Sequence, residues 1–407
     1  MAVGRGELPL LAEVQGVRLA SGSAGIKVPG RIDTVLFELA ESSTIAALFT
    51  QNAFCAAPVQ VARRHWQQSE GVRYWLVNTG NANAGTGAGG IGDALRCCAA
   101  IAELVGVSER EVMPFSTGVI GEPLPADLIV DVLPHLVANL HADGWTDAAN
   151  GILTTDTRPK GFSVRVGLGE NTATVTGIAK GAGMIKPNMA TMLAFIATDA
   201  AIDHALLQTM LSRAVGRSFN RITVDGDTST NDACVLVATG AAGNSRIESE
   251  DSDLYESLQA AVTTVCLELA QGLIRDGEGA GKYVEIEVSG GQSEVECAQV
   301  AYTVAESPLV KTALFAGDPN WGRILAAIGR AGIEALDVSG VTVAIGDTLI
   351  AEFGQRAASY TEAAGVAAMA ADELLVSINL GRGEHTSRVW TTDLGYEYVR
   401  INAEYRS

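Results

Sequence analysis

Runs of apolar residues broken by glycine and proline predict strands at residues 14–20, 34–39, 46–50 and 74–77. Apolar residues at helical spacing predict helices over 93–104, 126–140, 203–214 and 254–274, the last carrying Leu258, Val262, Val265, Leu269 and Leu273 on one stripe. Further strands are expected at 162–166, 173–178 and 192–196. From Tyr283 onward Val284, Ile286 and Val288 alternate with Glu285, Glu287 and Ser289, which marks a half-buried strand. Its partner is expected at 295–304, across a Gly-rich turn. Helices at 325–332 and 361–375 and strands at 341–345, 374–380, 388–392 and 396–401 complete the pattern. Strands and helices mixed in this order describe an α/β protein with a smaller C-terminal α+β lobe.

Composition narrows the class. The 407 residues are 47% hydrophobic and include 45 glycines, as in a compact protein rich in tight turns. Lys and Arg number 28 against 47 Asp and Glu, a formal charge of −19, which argues against nucleic acid or an anionic membrane as partner. Cys55, Cys97, Cys98, Cys234, Cys266 and Cys297 form no CxxC pair, and with the scattered histidines they give no zinc spacing, so no metal site is expected. The N-terminus lacks the basic and apolar regions of a signal peptide, and no apolar run reaches the roughly 18 residues of a membrane span. A cytoplasmic protein is the expectation.

The chemistry concentrates in a few stretches. Residues 180–199 pass from a turn containing Gly181, Gly183 and Pro187 into the apolar run that follows Thr191. A Thr at the head of such a run becomes a nucleophile if the bond after Ala190 is cut, because its freed α-amine then serves as its own general base. That amine titrates near about 7.7–8.0 and needs little tuning. Thr117-Gly118, at an expected strand end, offers a hydroxyl and an unencumbered N–H, the donor pair of an oxyanion hole; residues alone favour a plain turn there. Residues 154–160 crowd hydroxyls, a carboxylate and cations, and residues 218–232 crowd acids, amides and hydroxyls. The second stretch lacks the Gly and Glu positions of an EF-hand and is expected to be a hydrogen-bonded polar loop. Gly85, Gly87 and Gly90 fit GxGxxG but lie too far beyond the strand that ends near Asn78 for a dinucleotide turn, so a polar loop wrapping the active site is expected. Residues 276–282 are not a P-loop, since Asp276 and Tyr283 occupy its Gly and Ser/Thr positions.

The run Lys180-Gly-Ala-Gly-Met-Ile-Lys-Pro-Asn-Met-Ala-Thr-Met-Leu193 strongly resembles the self-cleavage motif of the ornithine acetyltransferase (glutamate N-acetyltransferase) family. Segments 49–59, 78–87, 116–121, 154–160, 218–232, 276–282 and 307–323 match in family order, so the resemblance covers nearly the whole chain. Gly281 departs from the Thr usual there. The resemblance implies a layered α/β/β/α sandwich with a C-terminal lobe, cut between Ala190 and Thr191. It divides the chain into 1–190, 191–282 and 283–407. It implies acetyl transfer from N2-acetylornithine to glutamate through acetyl-Thr191, with ornithine released, Thr117 and Gly118 holding the oxyanion, and no cofactor. Acetyl-CoA stays open as a second donor. Thr154, Lys180, Glu278, Asn402 and Ser407 match the family's substrate-binding positions. A dimer of cleaved α–β pairs, or a larger assembly, is expected. A hydrolase passing the acyl group to water is the rival reading.

Overall fold

The computed structural model describes residues 3–4, 6–69, 71–186 and 192–404. Three sheets organise it. The first is four-stranded and runs in the order Val17–Gly22, Thr34–Leu39, Tyr74–Asn78, Val112–Ser116, with only the last pair parallel. The second is five-stranded, in the order Thr44–Phe49, Ala233–Ala238, Leu193–Thr198, Asn171–Lys180, Lys160–Leu168.

Alternation along these strands decides what each face meets. In the first sheet Phe37, Trp75, Val77, Met113 and Phe115 point one way and Leu36, Tyr74, Leu76 and Val112 the other. In the second, Leu193, Phe195, Ala197, Val235 and Val237 face the first sheet, while Ala194, Ile196, Cys234 and Leu236 face away. The two inner faces close on an aromatic cluster, with ring centroids 5.2 Å apart for Phe37–Phe195 and 5.1 Å for Phe115–Phe195.

Helices cover both outer faces. Cys97, Cys98 and Ile101 of the Gly87–Val105 helix and Ile129, Leu133 and Leu136 of the Ala126–Ala138 helix pack on the first sheet. Leu207, Met210 and Leu211 of His204–Arg217 and the predicted stripe of Asp253–Arg275 pack on the second. The Ser252 hydroxyl caps the latter helix by accepting from the Tyr255 N–H. Asp253–Arg275 is long and apolar enough to span a bilayer, but its apolar stripe is spent on the sheet, as in a core helix. The layers are therefore α/β/β/α, as the resemblance implies.

A six-stranded sheet beginning at Tyr283–Gly291 forms a third core with the helices Glu294–Ala305, Pro308–Ala316 and Trp321–Gly329. The Thr223 N–H, donating to the Trp390 carbonyl at 2.9 Å, helps fasten this lobe to the sandwich.

Two expected strands are helices. Residues 295–304 lie in Glu294–Ala305, where the Ser293 hydroxyl caps the first turn, and Cys297, Val300, Ala301 and Val304 form a buried helical stripe. The β-branched residues there imitate alternation, but the cap and the stripe prevail. Residues 396–401 lie in the helix Tyr396–Ala403, which docks on the loop at Gly279, where an added Cβ would stand 2.4 Å from the Tyr398 nitrogen. That docking is a tertiary contact invisible to local pattern. The expected 361–375 helix is only Glu362–Ala368, because the chain from Glu373 joins the C-terminal sheet.

Candidate active site

Strand ends from both sandwich sheets converge on one cavity of about 310 Å³. Thr117, Gly118, Thr154, Lys180, Glu278 and Asn402 all line it, so five segments remote in sequence share one space. Ala190, Thr191 and Ser407 lie outside the described residues. Of the described residues around the first two, Met192, next after Thr191, and Ile185, five residues before Ala190, both line the cavity.

Thr117 and Gly118 follow the end of the Val112–Ser116 strand. A network of side-chain amides holds their position. The Ser116 hydroxyl donates to Asn78 at 2.6 Å, the Asn78 amide donates to the Asn81 carbonyl at 3.0 Å, and the Asn231 amide donates to the carbonyls of Ala82 at 2.5 Å and Ser116 at 2.9 Å. The expected polar loop thus spends its amides holding backbone around the site. Gly118 has φ +135°, and a Cβ there would lie 2.3 Å from the Gly80 carbonyl carbon, so only glycine fits. Among the described residues its N–H meets no acceptor. The Lys180 ammonium donates to the Thr117 hydroxyl oxygen at 3.2 Å. That contact occupies a lone pair of the hydroxyl and leaves its proton available to a further acceptor in the cavity. A hydroxyl and a backbone N–H from adjacent residues are the donors that a developing oxyanion requires.

Lys180 is 9% exposed. Burial pulls its ammonium below the ordinary value, aided by Lys160 and opposed by Asp156, Asp232 and Glu278. Behind it stands a buried charge cluster: the Lys160 ammonium meets Asp156 at 2.5 Å and Asp276 at 2.6 Å. Burial alone would raise the Asp156 carboxyl, but Lys160, Lys180 and the Thr154 N–H hold it well below the usual carboxylate range. Asp156 also accepts from the N–H groups of Thr154 at 3.0 Å and Gly181 at 2.7 Å, tying the Thr154 loop to the turn after Lys180.

That turn is held at several points. Asp225 accepts from the N–H groups of Met184 at 2.7 Å and Ile185 at 2.9 Å, and from the Tyr398 hydroxyl at 3.1 Å. Met184 sits at φ +54°, a conformation that costs a side-chain-bearing residue energy and persists only when its surroundings enforce it. Gly183 packs so closely on Glu278 that a Cβ would lie 2.4 Å from its Oε2. Lys186 pairs with Glu306 at 2.9 Å.

On another wall the Asn402 amide donates to Glu278 Oε2 at 2.8 Å, which turns the Asn402 oxygen away from the carboxylate. Lys180 can meet a carboxylate and Glu278 an ammonium, so the cavity carries both charges that a free amino acid presents. Gly281 is not among the lining residues; its N–H donates to Asp393 at 2.8 Å, and a Cβ there would approach Asp393 Oδ2 to 2.9 Å. A second cavity of about 170 Å³ shares Gly118, Val119, Thr154 and Thr155 with the first and adds Lys27 and Arg31. Asp232, Ser229 and Asn231 also line the main cavity, although sequence reasoning assigned their stretch to a structural loop. The density of acids, amides and hydroxyls there was the signal that could have found them.

Sandwich and cavity together suit acyl transfer: a hydroxyl and a backbone N–H from adjacent residues stand beside a pocket lined by both a cation and a carboxylate. The sequence matches the ArgJ family over residues 18–407, and the chain belongs to that family. It is an acetyltransferase of arginine biosynthesis, as the motifs imply. The chain is 55% identical over 100% of both lengths to the arginine biosynthesis bifunctional protein ArgJ of Pseudomonas fluorescens. It is 55% identical to that of Methylococcus capsulatus over 98% of this chain and 97% of the relative. A solved ArgJ structure from Bacillus halodurans is 42% identical and covers 51% of this chain and 96% of that one, with a TM-score of 0.48.

Proposed function

We propose that the chain cleaves itself between Ala190 and Thr191 and then moves acetyl from N2-acetylornithine to glutamate through an acetyl ester on Thr191. In the first half-reaction the Thr191 hydroxyl, assisted by its own α-amine, attacks the acetyl carbonyl, and ornithine departs. Thr117 and Gly118 donate to the tetrahedral oxyanion. In the second, the amine of glutamate takes the acetyl group from the ester. Lys180 receives the substrate carboxylate and Glu278 an ammonium, while Thr154, Asn402 and Ser407 complete the pocket. We take acetyl-CoA as a second donor, in keeping with the word bifunctional in the relatives' names. No resident cofactor or metal enters the scheme. The cytoplasm is the proposed compartment, and a dimer of cleaved pairs the proposed assembly.

The observation that carries this reading is the convergence of Thr117, Gly118, Lys180, Glu278 and Asn402 on one cavity whose wall includes Met192, the residue after Thr191, and Ile185, five residues before Ala190. Intact mass of freshly purified protein beside Thr191→Ala tests it. Fragments 1–190 and 191–407 are expected from the wild type and an unbroken chain from the variant. An unbroken wild type would remove the mechanism. Release of ornithine from N2-acetylornithine should then depend on glutamate; equal release into water alone would make the protein a hydrolase. Free thiol appearing from acetyl-CoA and glutamate checks the second donor.

A further inference from the structure

The proposed reaction is unbalanced in protons within each half. The amide nitrogen of N2-acetylornithine carries one hydrogen, and the departing amine leaves as an ammonium carrying three. As the amide C–N bond breaks and the ester C–O bond forms, one of the two added protons comes from the Thr191 hydroxyl. The other must come from elsewhere. When the ammonium of glutamate reacts, the ester C–O bond breaks and the amide C–N bond forms. One proton then returns to the Thr191 oxygen and another must be taken away. Something has to lend a proton in the first half and recover it in the second.

A carboxyl group that the substrate contacts leave unused stands in the cavity wall. Asp232 is 3% exposed, and its Oδ2 has no hydrogen-bond partner among the described residues. The Thr50 N–H fixes its backbone by donating to its carbonyl at 3.0 Å. The next residue, Ala233, pairs with Leu193, and its N–H donates to the Met192 carbonyl at 3.0 Å. Asp232 is therefore beside the residue that follows Thr191. The groups that face it are Ser229 from its own loop and Lys180 from the Asn171–Lys180 strand. Burial pushes its carboxyl well above the ordinary range, outweighing Ser229 and the Lys180 charge. The other acids nearby are engaged: Glu278 by Asn402, Asp156 by Lys160 and two backbone N–H groups.

We propose that Asp232 is the proton store of the transfer cycle. It is a neutral acid in the free enzyme, gives its proton as the first amine departs, and recovers one from the incoming ammonium. The Thr191 amine passes on the hydroxyl proton. This proposal rests on the acetyl-Thr191 reading.

The test mixes cleaved enzyme with N2-acetylornithine alone, near pH 7, in weak buffer containing an indicator dye. Protons drawn from the medium are counted per acetylated 191–407 fragment, the fragment being read by mass. The wild type should draw far less than one proton per acetyl group, and Asp232→Asn about one. Acetyl-enzyme formation in the variant should slow by about 10²-fold, the usual scale of a lost general acid. Asp232→Glu should restore low uptake. In the wild type alone, uptake should climb toward one proton as pH rises and the store empties. One proton per acetyl group in the wild type at every pH, or equal uptake by wild type and Asp232→Asn, overturns the store while leaving acetyl-Thr191 intact. Absence of any acetylated fragment overturns the reading beneath it, and the store with it.

Discussion

At the scale of the residue, Thr117 and Asp232 show how surroundings turn ordinary side chains toward chemistry. The Lys180 contact leaves the Thr117 proton available, so Thr117→Val, similar in shape without the hydroxyl, should lower kcat by about 10²–10³-fold, the usual cost of one oxyanion donor. KM should change far less, and steady-state kinetics would separate the two. Asp232 has a thermodynamic consequence as well. Its carboxyl is raised in the folded protein and ordinary in the unfolded chain, so the folded state holds the extra proton between those values. Its contribution to stability is present below the ordinary carboxylate range and is lost as pH rises through the raised one. The stability gap between Asp232→Asn and wild type should therefore shift in favour of the variant with rising pH, as measured by urea midpoints. A flat difference would contradict it. That Thr117 belongs to the site was legible in the sequence only through the family resemblance of its Ser-Thr-Gly segment, since the residues alone favour a plain turn. The place of Asp232 was not, because its burial, and the lack of a partner for its Oδ2 among the described residues, are properties of a folded wall.

At the scale of the element, the turn after Lys180 is anchored from several parts of the chain. Asp156, Asp225 and Glu278 each reach into it from other segments. Asp156 also balances Lys160 and Lys180 in a buried setting. Asp156→Ala should cost about 3–5 kcal/mol, because it strips a partner from buried charge rather than removing a whole pair. Denaturant midpoints would show the loss, and slower self-cleavage on a time course of intact mass would follow from the loosened turn. The glycines and Pro187 announced a turn here, but its anchors come from residues scattered across the chain. The helix Tyr396–Ala403 makes the same point in reverse. Its sequence reads as a strand, and docking against Gly279, with Tyr398 reaching Asp225 and Asn402 reaching Glu278, accompanies the helical form that brings Asn402 to the cavity.

At the scale of the molecule, the proposed cut falls inside the central sheet system rather than between domains. The five-stranded sheet would then be mixed in origin: Ala233–Ala238 and Leu193–Thr198 from 191–407 lie side by side between Thr44–Phe49 on one side and Asn171–Lys180 and Lys160–Leu168 on the other, all three from 1–190. Ladders of hydrogen bonds cross the cut at Thr44–Phe49 against Ala233–Ala238 and at Val175–Lys180 against Leu193–Thr198. The two fragments should co-elute on size exclusion and part only in denaturant. Separation under native conditions would contradict this architecture.

The sequence by itself determined which segments form most of the buried elements, and, through the family resemblance, the layers and the chemistry on offer. The near-continuous apolar runs at 34–39 and 74–77 mark buried strands, and the stripe through Leu258 and Leu273 sets the buried face of its helix, since apolar patterning is a local property that survives folding unchanged. The motifs around Thr117, Thr154, Lys180 and Glu278 supplied the reactive groups. Only the tertiary structure decided that these residues share a cavity, that the Gly118 N–H meets no acceptor among the described residues, and that Asp232 is buried in the wall beside them. Those outcomes depend on contacts between residues far apart in the chain, and burial, with the shift of a carboxyl that it causes, exists only once the layers have closed.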